Sequence, residues 1–333
     1  MILPLLQFNT SEVSHAFQTL PNQYGAIGKM GLFQAKAVAT TYVVIEEQNG
    51  ILTLLPSNAS QAPAAIATKG KRKKYVLAVP KIEHNDSVSP EDIQNLQTFG
   101  GTTPENMATF LNDRLAEMKS KHDLTIEWLM RGALNGSIVD GDGSTVLHDL
   151  FTIFGMTEKA VDFTLGTSST KILDKCHEVV RHIRKELKGD TSTGITALVS
   201  PGFYSKLIQH ANVEKHFVNW QAATAISQNA LQPFSFGGIN FVEYDATVTD
   251  ATGATQEFYG TDVGRCFPVG TRNTFRMFAA PADFNESVNK AGQLYYAKTK
   301  ERDFGRGFDI HTQSNPLPLC VKPQILVKIH SSN

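Results

Sequence analysis

The residues best suited to chemistry in this chain fall in a few places, and each has a plainer use. Asp140-Gly-Asp142-Gly143 has the carboxylate spacing that opens a calcium loop. Such a loop also needs a third oxygen ligand, a glycine at position six and a glutamate at position twelve. Thr145 and Phe151 occupy those two positions. The Asp-Gly pairs read instead as a hairpin turn, because glycine supplies the positive φ such turns demand. Gly70-Lys71-Arg72-Lys73-Lys74 lacks the glycine spacing and the Lys-Ser/Thr pair of a phosphate-cradling loop. As four adjacent cations it suits contact with acidic groups of a partner, then a solvated face, then nucleic acid, in that order.

The ten histidines form no HExxH and no tight cluster with Cys or Asp. His122 falls on an apolar helical stripe and reads as a core histidine. His177 and His182 fall off the stripe of their own helix. Glu46 and Glu47 have no partner acid at a spacing glycoside chemistry would use. There is no GxSxG elbow and no GxGxxG. No catalytic residue, cofactor or metal site is expected, so the chain reads as a non-enzyme.

Composition narrows the class further. The chain has 333 residues, 41% hydrophobic and 19% charged, enough for a sizeable core in two domains or one elaborated domain. Lys plus Arg total 31 against 32 Asp plus Glu, so a net charge of −1 gives no bulk drive toward nucleic acid. Cys176, Cys266 and Cys320 are odd in number and far apart, which excludes a disulfide framework and a CxxC site. No apolar run approaches 18 residues, so no membrane-spanning helix is expected. The start, Met1 to Phe8, is apolar but lacks the basic region and cleavage site of a signal peptide.

The elements that position these residues interleave helix and strand, which makes the chain α+β. The first ~35 residues read as an irregular arm. Thr41 to Gln48 and Ile51 to Leu55 read as strands about an Asn49-Gly50 turn. A long polar stretch from Pro56 to Gly70 then ends in the basic cluster, set at a loop tip before the strand Tyr75 to Val79. A loop this long between strands is uncommon unless it is functional or disordered. Ser89, Pro90 and Asp92 make a helix start. From Thr103 to Gly136 an amphipathic helix ~48 Å long is expected. Its apolar stripe is Met107, Leu111, Leu115, Met118, His122, Ile126, Leu129 and Ala133, opposite a polar face of Asp113, Glu117, Lys121 and Glu127. A second such helix spans Thr170 to Lys188, with Ile172, Leu173, Cys176, Val179, Val180, Ile183 and Leu187 inward. A buried strand (Ile195 to Val199), a helix after Ser200-Pro201, a hairpin from Phe234 to Tyr244 and a closing strand from Pro323 to Ile329 complete the reading.

Several combinations of residues then resemble one family. Val44-Ile-Glu-Glu-Gln-Asn-Gly-Ile-Leu-Thr-Leu-Leu-Pro56, the return Val79-Pro-Lys-Ile-Glu-His-Asn-Asp86, and Asn112-Asp-Arg-Leu115 with Thr125-Ile-Glu-Trp128 and Arg131-Gly-Ala-Leu-Asn-Gly136 are similar to the phage lambda-type major head proteins. So are Asp140 to Leu147 and the ending His311 to Cys320 followed by Pro323 to Ile329. The resemblance implies the tailed-phage shell fold, shared with herpesvirus floors and encapsulins. It places an N-terminal arm at 1–36, an E-loop with flanking P-domain strands at 37–100, and the P-domain spine helix with its hairpin at 101–155. An A-domain at 156–297 and closing P-domain strands at 298–333 follow.

It implies a major capsid subunit that assembles in the host cytoplasm, as pentamers and hexamers, into an icosahedral head around double-stranded DNA. Expected partners are further copies of the chain, a separate scaffolding protein, a portal and a decoration protein, with only weak non-specific contact to DNA. The E-loop interface would use Glu46, Glu47, Asn49, Gly50, Lys69, Lys71, Arg72, Lys73 and Lys74. The spine helix would pack through Met107, Leu111, Leu115, Met118, Ile126 and Leu129. The rivals are an encapsulin-like compartment and an α+β enzyme with a long lid loop.

Overall fold

A computed structural model describes residues 25–48, 72–94, 107–227, 233–250 and 253–332. A four-residue helical turn, α1 (Ala26–Lys29), precedes β1 (Gln34–Ala37), β2 (Tyr42–Gln48), β3 (Arg72–Ala78) and β4 (Ile82–Val88). Helix α2 (Pro90–Ile93) starts as expected, with Ser89 and Asp92 in a reciprocal capping box and Pro90 at the first position. The long helix α3 (Met107–Asn135) stops at Gly136, whose φ of 79° only glycine takes easily and where the Phe151 ring fills the space of a Cβ.

Next come β5 (Ser137–Val139) and β6 (Val146–Asp149), the expected hairpin over Asp140 to Gly143. The Asp142 carboxylate accepts the N–H groups of Ser144 and Thr145 and the Thr145 hydroxyl, which holds its pKa down to about 2. Its oxygens therefore serve the turn. The chain continues through α4 (Leu150–Phe154), β7 (Lys159–Asp162), α5 (Ile172–Glu186), β8 (Gly194–Val199), α6 (Pro201–Gln209) and α7 (Glu214–Ser227). Then follow β9 (Phe234–Phe236), β10 (Ile239–Glu243), β11 (Thr247–Thr249), β12 (Thr255–Glu257), β13 (Val263–Val269) and β14 (Phe275–Ala279). The last strands are β15 (Tyr296–Glu301), β16 (Phe308–Ser314), β17 (Pro316–Cys320) and β18 (Val327–His330). The closing strand begins later than expected, because Pro323 opens a 3₁₀ turn, Pro323–Ile325.

Contacts divide the chain into two units. The first comprises, over their described residues, Met1–Val43, Ala78–Met130 and Arg276–Leu319. It holds a sheet of order β1-β14-β17 and an antiparallel sheet of order β15-β16-β4. Its core joins α3 to the second sheet: Leu115, Met118 and Ile126 meet Val88, Ala297 and Ile310, with Met107 and Leu111 packed at the edge. Leu129 is also buried.

The polar face of α3 departs from expectation at one residue. Asp113, Glu117 and Lys121 are exposed, but Glu127 is only 3% exposed. Its Oε1 accepts the Ile27 N–H at 3.0 Å, and Gly25 lies so close that any Cβ would strike the carboxylate. The turn α1 covers that part of the helix, from 100 residues away in sequence. Periodicity on one helix carries no information about such a cover.

The second unit comprises, again over described residues, Val44–Leu77, Arg131–Phe275 and Cys320–Asn333. Its six-stranded mixed sheet has the order β7-β18-β13-β8-β10-β9. Strand β18 runs parallel to β7 and antiparallel to β13. Ile172, Cys176, Val179, Val180, Ile183 and Leu187 of the α5 segment pack on this sheet. Leu173 is exposed instead, one position round the helix from Ile172. Burial pushes the Cys176 and Cys320 thiols up to about 12, and all three cysteines are free and buried.

Candidate subunit interface

A continuous apolar run in a strand signals burial on both faces, because side chains alternate. Two such runs, Tyr42-Val-Val-Ile45 and Tyr75-Val-Leu77, form the hydrogen-bonded sheet of β2 and β3. Among the described residues, only one face is covered. Val43 and Leu77 are buried, and the Tyr75 ring meets Phe154 with centroids 4.7 Å apart. On the other face Tyr42, Val44 and Val76 are 48%, 47% and 66% exposed. Three large apolar side chains on one narrow ribbon make a patch that wants a cover. The run Tyr75-Val-Leu77 is the sequence signal for it.

The predicted interface residues divide as follows. Glu46 and Glu47 lie in β2 and Arg72 in β3, with nothing described of their side chains. Asn49, Gly50, Lys69 and Lys71 lie outside the described residues, as do the expected Asn49-Gly50 turn and the strand Ile51 to Leu55. Lys73 and Lys74 are both exposed. The basic residues Arg72, Lys73 and Lys74 therefore belong to a strand, where a loop tip was expected. Alternation puts Lys74 on the face of Val76 and Lys73 on the face of Tyr75, so the cations do not form one patch.

The spine-helix residues are all in the first unit's core region: Leu115, Met118, Ile126 and Leu129 buried, Met107 and Leu111 half-buried. Beside them lie polar groups that the pattern alone could not pair. His122 Nε2 is 2.9 Å from Thr312 Oγ1, whose hydroxyl donates to the His84 carbonyl at 3.0 Å. With that hydrogen committed, His122 must donate from Nε2, and burial holds its pKa down to about 4. The Tyr295 hydroxyl donates to Asp123, and the Lys119 ammonium lies 5.3 Å from the centre of the Tyr295 ring. Burial raises the Asp123 carboxyl.

Among the described residues no group of three or more His, Cys, Asp or Glu side chains could hold a metal ion. No described helix is long and apolar enough to cross a membrane.

The description of phage major capsid protein E matches residues 9–331. The chain belongs to that family. It is a structural subunit of a phage head. The major capsid protein of Salmonella phage Felix O1 is 26% identical, with 98% of this chain and 96% of the relative covered. That of Pseudomonas phage KPP10 is also 26% identical, with 98% of each chain covered. Among solved structures, a protein described as a prophage capsid protein from E. coli CFT073 superposes with a TM-score of 0.60 at 14% identity, covering 97% of this chain and 99% of that one. A chain from the mature capsid of bacteriophage PhiM1 gives 0.51 at 13% identity, covering 94% and 89%. These two likenesses show the tailed-phage capsid fold, so the α+β class read from the residues and the capsid architecture implied by the resemblance are the ones found.

Proposed function

We propose that this capsid protein works only as a lattice of copies, in which the ribbon of β2 and β3 is the base of an E-loop laid across a neighbouring subunit. The observation that carries the reading is the uncovered apolar face of Tyr42, Val44 and Val76 on a ribbon whose other face is packed. On this reading Thr41 to Ile82 is the E-loop and Pro104 to Asn135 is the spine helix. The reach from one subunit to the next is heterologous, so each subunit presents two different surfaces and copies close into rings. Pentamers and hexamers in an icosahedral shell are such rings. The role is structural and non-enzymatic. The location is the virion shell, after assembly in the host cytoplasm around double-stranded DNA. A portal, a scaffolding protein and a decoration protein are the further partners of such a shell. Near-neutral net charge suits a wall that touches packaged DNA weakly and lets it slide.

Negative-stain imaging of the purified full chain tests this. Closed shells or rings support it. A protein that stays monomeric at every concentration, with Val76 open to water, would overturn it.

A further inference from the structure

At the end of α3 the second unit gathers more hydrogen-bond donors than acceptors. Arg131 and Asn135 are one helical turn apart, so they share a face of that last turn. Arg131 Nε donates to the Phe258 carbonyl at 2.6 Å. Arg265, in β13, comes to the same turn, where its Nε donates to Asn135 Oδ1 at 3.3 Å. It is only 8% exposed, and its Nη1 pairs with Glu158. Tyr259, between β12 and β13, is 5% exposed, and its hydroxyl meets no hydrogen-bond partner among the described residues. Burial raises the pKa of that hydroxyl, while Arg265 and Arg131 both act to lower it, which places both cations within reach of it.

A tyrosine hydroxyl this deep ordinarily has a partner, because burial has taken its water away. Its neighbours can only donate. A guanidinium has five N–H groups and no acceptor, and the Asn135 amide, with Oδ1 committed to Arg265, has its Nδ2 donors left. Glu158 answers Arg265. The C-terminal end of α3 favours cations as well, but with a partial charge of only about half a unit. The cluster therefore calls for an acceptor that a hydroxyl, an amide and two guanidiniums can share. A monatomic anion accepts hydrogen bonds from any direction, and its charge offsets the repulsion between two buried cations.

We propose that Arg131, Asn135, Tyr259 and Arg265 form a binding site for a small inorganic anion of the size and charge of chloride. The ion would tie the end of α3 to β13 and to the segment before it. This site lies within one subunit and is independent of how copies assemble.

The test is thermal unfolding of the purified full chain as sodium chloride replaces sodium gluconate at constant ionic strength, with chloride line broadening by NMR as a direct measure of binding. Constant ionic strength removes general screening from the comparison. The melting temperature of the parent is expected to rise with chloride and then level off, as binding to the folded state requires. Tyr259→Phe deletes only the hydroxyl. It should melt no lower than the parent in gluconate, and its apparent chloride affinity should fall about tenfold. Arg131→Gln should lose the chloride response altogether, and if that variant does not fold, Tyr259→Phe still decides. A parent with no chloride response and no line broadening overturns the site and leaves water as the hydroxyl's partner. A response that Tyr259→Phe retains in full places the ion elsewhere on the chain and overturns the assignment.

Discussion

Helix α3 and the ribbon of β2 and β3 invert each other. On α3 the charged and polar side chains of Lys119, His122, Asp123 and Glu127 are buried, and described partners meet them within the subunit: Tyr295, Thr312 and the Ile27 N–H. On β2 and β3 the apolar side chains of Tyr42, Val44 and Val76 face outward, with no described ring or side chain over them. Buried polar groups persist when their hydrogen bonds are made, and exposed apolar patches persist when something else will cover them. The helix is thus finished within one subunit. On the proposed reading, the ribbon is finished by the next. Changes in the first should move stability, and changes in the second should move assembly.

The largest separation of the two readouts should come from the loop beyond the ribbon. Deleting Ser57 to Lys69 removes a stretch whose sequence offers almost no core-forming side chains. Shells are expected to disappear from micrographs while the subunit's melting temperature stays within a degree or two of the parent. Normal shells from the deleted protein would break the comparison, because the ribbon would then lead to nothing that assembly needs.

Truncating the helix core should do the reverse. Met118 is almost fully buried against the β15-β16-β4 sheet. Met118→Ala is expected to cost ~3 kcal/mol in denaturant unfolding. Assembly of whatever remains folded should be unchanged once concentration is corrected for the unfolded fraction. A loss under ~1 kcal/mol would mean that the sheet collapses onto the site, or that α3 is less central than its burial implies.

The sharpest probe of the buried polar groups is acid. His122 has a folded pKa of about 4 against an ordinary 6.5. Between those values the unfolded chain binds a proton that the native one refuses, so stability is fully present above pH 6.5 and falls as pH drops toward 4. The gap corresponds to ~3 kcal/mol at most. Burial and the Lys121 ammonium also lower His84, which adds in the same direction. Asp123 is raised by burial and acts with the opposite sign, since its native form holds its proton more firmly. The histidine's own share is therefore read as a difference. Unfolding of the parent and of His122→Gln, measured at pH 7 and pH 4.5, should show a smaller loss in the variant. Equal losses would assign the acid sensitivity to other groups.

How far the sequence could be read follows the same division. The capping box at Ser89, the α3 stripe, the turn over Asp140 to Gly143 and the α5 stripe all rest on residues within a turn or two of each other, and all were legible. Glu127 was not, because what covers it is the backbone of Ile27, 100 residues earlier. Leu173 was not, because periodicity fixes a helix's inner face only to within about one position. The ribbon was half legible. Tyr42 to Gln48 and Tyr75 to Ala78 could be read as strands, but β2 pairs with β3, and the basic cluster was put at a loop tip when Arg72 to Lys74 are in β3. Runs of like charge at the start of a strand look the same in sequence as runs in a loop, and only the partner strand tells them apart.

That correction supplies the finest test. As one patch, the four cations would respond alike to charge reversal. As residues of a strand, Lys73 and Lys74 cannot. Lys74 shares the outward face with Val76, while Lys73 shares the face that turns Tyr75 onto Phe154. Lys74→Glu should raise the assembly concentration roughly two- to fivefold, the range of an exposed ion pair worth ~0.5–1 kcal/mol. The effect should shrink in ~1 M salt, where charges are screened within about 3 Å. Lys73→Glu should change assembly less than Lys74→Glu at low salt, and neither should move subunit stability by more than ~0.5 kcal/mol. Equal effects from the two would mean that the partner reaches both faces of the ribbon, so that the packed side within the subunit is no more complete than the open one.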